Sequence, residues 1–168
     1  MARKKTRKQN TILDERAFDA VPKLLEECKY FEYSLEEALK SITAKQRVEW
    51  RTVHSIRDTK TGEQIDVPLR LRIGGTPNDA EGWQVSLIVG NRRVDGFDFE
   101  ARFCDMDGVE RNGWHRHIWN PQTRAAPGKS AVTLFNRPAI TFHEFLVQAL
   151  KHMNVFYRKD DDSDVFLF

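Results

Sequence analysis

The chain has 168 residues, with 40% hydrophobic and 31% charged side chains and a formal net charge of +2. That is enough length for one domain with a real core, and the balance excludes both a strongly disordered composition and a globally basic nucleic-acid binder. No apolar run approaches the roughly 20 residues needed to span a bilayer. No apolar signal core follows the basic start either, so a cytoplasmic protein is expected. Cys28 and Cys104 are far apart and in no CxxC motif. They read as reduced, non-ligand thiols.

Residues 1–10 are polar and basic without periodicity and are expected to form a disordered arm. Residues 11–158 are expected to form a single α+β domain, and residues 159–168 an acidic, then apolar, tail. Phe18, Val21, Leu24, Leu25 and Cys28 recur at helical spacing. Pro22 predicts a break or a first-turn proline within that run. Ser34 and Glu37 have the spacing of a capping box and predict a short helix to about Ile42.

From Arg47 the period becomes two. Val48, Trp50, His54 and Ile56 share one face, while Arg47, Glu49, Arg51 and Arg57 share the other. After the turn "DTKTGE", Ile65, Val67, Leu69, Leu71 and Ile73 alternate with polar residues. Pro68, which cannot donate a ladder hydrogen bond, points to an edge or a bulge. Trp83, Val85, Leu87 and Val89 predict the next strand. Gly90-Asn91 suits a tight hairpin, and a strand returns through "VDGFDFE". "GWHRHIW" predicts a fifth strand. A loop with three prolines, 120–139, leads to "TFHEFLVQALKHM". Its Thr141 and Glu144 form a second capping box, and its apolar residues make one stripe.

Helices, about five strands joined by short turns, then a helix predict an α+β fold. The expected form is an antiparallel meander with the N-terminal helices and the C-terminal helix packed on one face.

Strand alternation puts His115, His117 and Trp119 on one face, and Trp114, Arg116 and Ile118 on the other. Three readings fit the histidine pair. As a metal site it needs further ligands, and no HExxH, CxxC or acidic partner at fixed spacing supplies them, so neither metal nor cofactor is expected. As an acid–base pair it needs a cation to steady developing charge, for which Arg111, Arg116 and Arg124 are near, with His54 a third candidate base. As architecture it needs only hydrogen bonds at a sheet edge or under the long loop. His143 and His152, nine residues apart on the last helix, cannot share a ligand. "PGKS" at 127–130 lacks the first glycine of a phosphate-binding loop and the strand before it, and reads as a decoy.

Arg3, Lys4, Lys5, Arg7 and Lys8 on the arm, and Arg70, Arg72, Arg111 and Arg116 in the domain, are candidate phosphate contacts. If the strands carrying Arg51 and Arg70 pair, they make a basic sheet face suited to single-stranded nucleic acid. A solubilising face balanced by Glu49 and Asp66 is the competing reading.

"WQVSLIVGNRRVDGFDF" followed by "DGVERNGWHRHIW" resembles a family of small bacterial and prophage proteins and, more distantly, the TumE-type toxins of toxin–antitoxin operons. The shared pattern is Asp98-Phe99 ending a two-strand unit, Asp107-Gly108 in a loop, then Gly113, His115, His117, Ile118 and Trp119. Phe103, Cys104, Asp105 and Met106 stand where the resemblance leads one to expect His-Arg-Asn-Pro. The resemblance implies a toxin or phage accessory protein acting on RNA. On that basis the leading expectation is a metal-independent ribonuclease with His115 and His117 as its acid–base pair. The alternative is a non-catalytic binding protein, either a phage-encoded inhibitor or an antitoxin-like partner. The expected partners are RNA and a cognate antitoxin or other protein, with no membrane.

Overall fold

A computed structural model describes residues 15–32, 39–40, 47–76, 79–105, 107–126 and 141–157. The fold is α+β, a mostly antiparallel sheet with few helices. The chain enters through two short helices, α1 (Arg16–Asp19) and α2 (Val21–Glu26). Pro22 lies in the first turn of α2, where its missing N–H costs nothing. Phe18 therefore falls in α1 and Val21, Leu24 and Leu25 in α2, while Cys28, expected in the same helical run, lies beyond α2 and is exposed.

The main sheet runs in the order β2 (Val48–Arg57), β3 (Gln64–Thr76), β4 (Asp79–Val89), β5 (Arg92–Cys104) and β6 (Glu110–Ile118), every neighbour antiparallel. The alternation of β3 is visible in its burial. Val67, Leu69, Leu71 and Ile73 are fully buried, and the register sets Leu69, Leu71 and Ile73 against Val89, Leu87 and Val85 of β4. Pro68 faces Val53 of β2, one residue before β4 begins to pair with β3. Its missing donor thus falls where β3 is a local edge. Gly90 takes a positive φ of 60° at the β4–β5 turn.

α3 (Phe142–His152) lies over the apolar face. The Thr141 hydroxyl caps it, accepting from the Glu144 amide at 3.1 Å. Trp83 of β4 meets Phe142 and Phe145 at ring distances of 5.3 and 5.7 Å, and Trp114 of β6 meets Phe145 edge-on at 5.3 Å. These residues, with Ala17, Phe18, Val21 and Leu24 of the first helices, form one hydrophobic cluster.

A second, two-stranded sheet was not anticipated. β1 (Lys29–Phe31) pairs in parallel with β7 (Val155–Tyr157), so the end of α2 is tied to the end of α3. Three-residue strands carry no readable period, and their pairing is long-range. The Ser34–Glu37 capping box, the "PGKS" run, the basic arm and the acidic tail lie outside the described residues. No described helix is long and apolar enough to cross a membrane.

Candidate functional site

The register of the sheet assembles the histidine site. Gln84, Asp98 and His115 stand in one cross-strand row, and Ser86, Gly96 and His117 in the next. Residues in such rows share a face, here the face opposite Trp83, Phe97 and Trp114. A bulge after Leu87 sets Leu87 against Asp95 but Ile88 against Arg93. Arg93 reaches across it, and its Nη1 donates to Asp98 Oδ2 at 2.9 Å. Gly96 leaves room for that reach: a Cβ there would lie 2.9 Å from Arg93 Cδ and 3.2 Å from the Val85 carbonyl.

His115 and His117 meet edge-to-face with ring centres 4.7 Å apart. They retain only 1% and 2% exposure. Phe103 stacks on the His115 ring at 4.1 Å. His115 Nδ1 is 3.5 Å from the Gly113 carbonyl, and its Nε2 is 3.9 Å from Glu100 Oε2. His117 Nε2 is 3.0 Å from Asp98 Oδ2. The other carboxylate oxygen, Asp98 Oδ1, is buried and accepts no hydrogen bond among the described residues.

Burial, reinforced by the neighbouring His117, pushes the His115 pKa down to about 4, so the ring is neutral at neutral pH. Burial raises the Asp98 pKa, but His117 and Arg93 more than offset it and hold the carboxyl below its ordinary value.

Trp119 does not join the histidines. β6 ends at Ile118, so alternation stops before Trp119, which is partly buried against the core and stacks on Phe18 of α1 at 6.5 Å. Arg116 points the other way, as alternation requires, and grips Asp95 on the helix-covered face with Nε at 2.9 Å and Nη2 at 2.7 Å. His54 lies 3.0 Å from Glu27 Oε2, away from the pair.

The other candidate phosphate contacts are tied to protein groups. Arg72 donates to Glu49 through Nε and Nη2 at 3.1 and 3.0 Å. Arg70 donates to Glu49 at 3.3 Å and to the Gly90 carbonyl. Arg51 does face Arg70 across β2 and β3, but its Nε also lies 3.4 Å from Glu49. Arg111 is held by Asp105 at 2.7 Å, and Arg124 by Glu15 and Asp19 at 2.7 Å each. Arg3, Lys4, Lys5, Arg7 and Lys8 lie outside the described residues.

A basic cleft of about 400 Å³ opens elsewhere, between the first helices and the β2–β3 hairpin. Arg16, Lys23, Arg57 and Lys60 line it, against Asp19 and Asp58. Lys23 Nζ donates to the Arg57 carbonyl at 2.7 Å, and Arg57 Nη1 to the Gly62 carbonyl at 3.0 Å. Lys23 also lies 3.8 Å from Glu27 and Arg16 3.2 Å from Glu63, so part of the cleft's charge is balanced, while the Gly62 carbonyl positions Arg57 without cancelling its charge. Asp58 is engaged in its own turn, accepting from the Lys60 and Thr61 amides at 2.7 and 3.1 Å.

Sequence reasoning missed Asp98, Arg93 and Glu100 as neighbours of the histidines, and missed the cleft entirely. Asp98 is 17 positions before His115, a separation that only the ladder register turns into contact. Comparison with protein-family models, with curated proteins and with solved structures gave no match.

Proposed function

We propose that the protein is a non-catalytic nucleic-acid-binding protein, of the toxin–antitoxin or prophage accessory kind, that holds the phosphate backbone in its basic cleft. The observation that carries this reading is the convergence of Arg16, Lys23, Arg57 and Lys60 on one cleft. A surface that gathers cations takes up phosphate by releasing counterions, and its affinity falls with salt.

A histidine-dependent ribonuclease is less well supported. A metal-free cleavage needs one group to take a proton and another to give one, both within reach of the scissile phosphate. His115 is buried and neutral, and His117 is turned to Asp98. At 1% and 2% exposure neither ring is open to a scissile phosphate.

The test is fluorescence anisotropy with labelled single-stranded RNA and DNA over a range of salt. Arg57→Glu with Lys60→Glu should weaken binding and flatten the salt dependence, by about 0.7 in the log–log slope per lost phosphate contact for a single strand. Replacing His115 and His117 by glutamine should leave the bound RNA uncut, as in the native protein. Binding untouched by the charge reversals, or RNA cleavage that the glutamines abolish, would sink the proposal.

A further inference from the structure

The geometry points to a binding site for a divalent first-row transition-metal ion at Asp98, His115 and His117, with zinc the ion it suits best. It stands independently of the nucleic-acid reading.

Each of the three side chains offers a ligand atom, and these atoms lie within 4.8 Å of one another. Two imidazoles and one carboxylate are a donor set for zinc and its neighbours, whereas calcium and magnesium favour oxygen alone. The scaffold is two adjacent strands with Asp98 and His115 as direct register partners, and strands hold donors more firmly than loops do.

The carboxylate is already divided between two tasks. Arg93 and His117 address Oδ2, at 2.9 and 3.0 Å. Oδ1 is buried beside them with no hydrogen bond among the described residues. A buried carboxylate oxygen left without a donor is costly, and a bound cation supplies what it lacks. Tetrahedral zinc, with bonds of roughly 2.0–2.1 Å, sets its donors about 3.3 Å apart. The separation between Asp98 and His117 is close to that already, and the wider ones need side-chain rotations.

With His115 Nδ1 turned to the Gly113 carbonyl, Nε2 is the ligating atom, and a backbone acceptor on the other nitrogen is the usual way a ligating histidine is oriented. Nε2 also faces Glu100 at 3.9 Å. Glu100 follows Asp98 by two positions on β5 and is half-exposed, so a side-chain rotation would bring it in as a fourth donor. A site closed by four protein donors is structural, and this one clamps the edge strand β6 to β5.

The test uses the full chain, stripped with a chelator and titrated with zinc by calorimetry, with Tm followed in parallel. The expected result is one zinc per chain and a raised Tm. His117→Gln and Asp98→Asn should weaken binding by about 100-fold or more, and Glu100→Gln by about 10- to 100-fold. Cys28→Ser with Cys104→Ser should leave it unchanged. Cobalt in place of zinc reads the ligands of the unaltered chain directly: a tetrahedral nitrogen–oxygen spectrum supports the site, and thiolate charge transfer overturns it. Failure of the native chain to bind one zinc, or unchanged affinity in Asp98→Asn, also overturns it.

Discussion

Arg116 and Asp95 form a two-pronged ion pair on the helix-covered face of the sheet, with Nε and Nη2 at 2.9 and 2.7 Å from the two carboxylate oxygens. Asp95 is 1% exposed. Its hydrogen bonds to Arg116 raise the guanidinium pKa further, against the effect of burial. Removing one partner of such a pair leaves a buried charge uncompensated, which costs about 3–5 kcal/mol. Arg116→Met should lower the unfolding free energy by that much, seen as a lower urea midpoint at an unchanged slope. Asp95→Leu with Arg116→Met should recover part of the loss, because the carboxylate is no longer stranded, while Lys29 gives up the pull of Asp95. A double variant as unstable as the single one would refute the stranded-charge account.

Glu49 has the opposite role on the other face, where Arg70, Arg72 and Arg51 all turn to one carboxylate. Burial raises the Glu49 pKa, but its hydrogen bonds and proximity to Arg72 and Arg70 prevail and hold it below its ordinary value. Glu49→Gln should release cationic surface while costing about 1–3 kcal/mol in charge-assisted hydrogen bonds. Anisotropy titrations should then show tighter RNA binding and a steeper salt dependence than in the native chain. Unchanged affinity would mean that this sheet face takes no phosphate.

The contrast between these two faces marks what the sequence makes legible. The apolar residues of β3 sit at every second position because one face of that strand is buried, so their alternation is readable without any partner. The same rule separates Arg116 from His115 and His117. It fails at Trp119, because alternation ends with the ladder and the Asn120–Ala125 bridge turns the chain away. Asp98 could not be assigned to the histidines, because the β5–β6 register shifts between Glu100 and Phe103 and nothing local records that. Lys29 was invisible for a related reason. Its burial depends on β1 meeting β7, a contact over more than a hundred residues.

Gly75 shows a backbone constraint of the same sheet. Its φ is +108°, and a Cβ there would lie 2.7 Å from the Gly82 carbonyl oxygen and 2.9 Å from Trp83 Cα. The β3–β4 register shifts at this point, between Gly74 and Thr76. Gly75→Ala therefore meets backbone, which cannot swing aside as a side chain can, and moves the Trp83 ring that α3 packs on. A loss of at least about 2 kcal/mol is expected, since the strained dihedral alone costs about 1–3 kcal/mol. Gly62, at φ +72° with nothing near its absent Cβ, is the control. There alanine should cost only about 1–2 kcal/mol, from the left-handed backbone. Equal losses in thermal unfolding would show that close approach is not what holds Gly75.

Lys29 gives the pH dependence a definite sign. It is fully buried, and its ammonium donates to the Leu24, Leu25 and Glu27 carbonyls at 2.9, 3.3 and 2.7 Å, capping the end of α2. Burial lowers its pKa to about 8, against a partial upward pull from Asp95. Below pH 8 the folded and unfolded chains both carry the proton, so the cost of burying the charge is fully present. Between about pH 8 and 10.5 the folded chain sheds the proton first, the unfolded chain binds more, and stability rises with pH. At 1.36 kcal/mol per pKa unit the gain is at most about 3 kcal/mol. Urea unfolding of the native chain and of Lys29→Met at pH 7.5 and pH 10 isolates it, since the other titrating groups are common to both. The native chain should gain on the variant as pH rises. A stability difference that stays constant, or moves the other way, would show that the Lys29 ammonium is as stable in its carbonyl cage as it is in water.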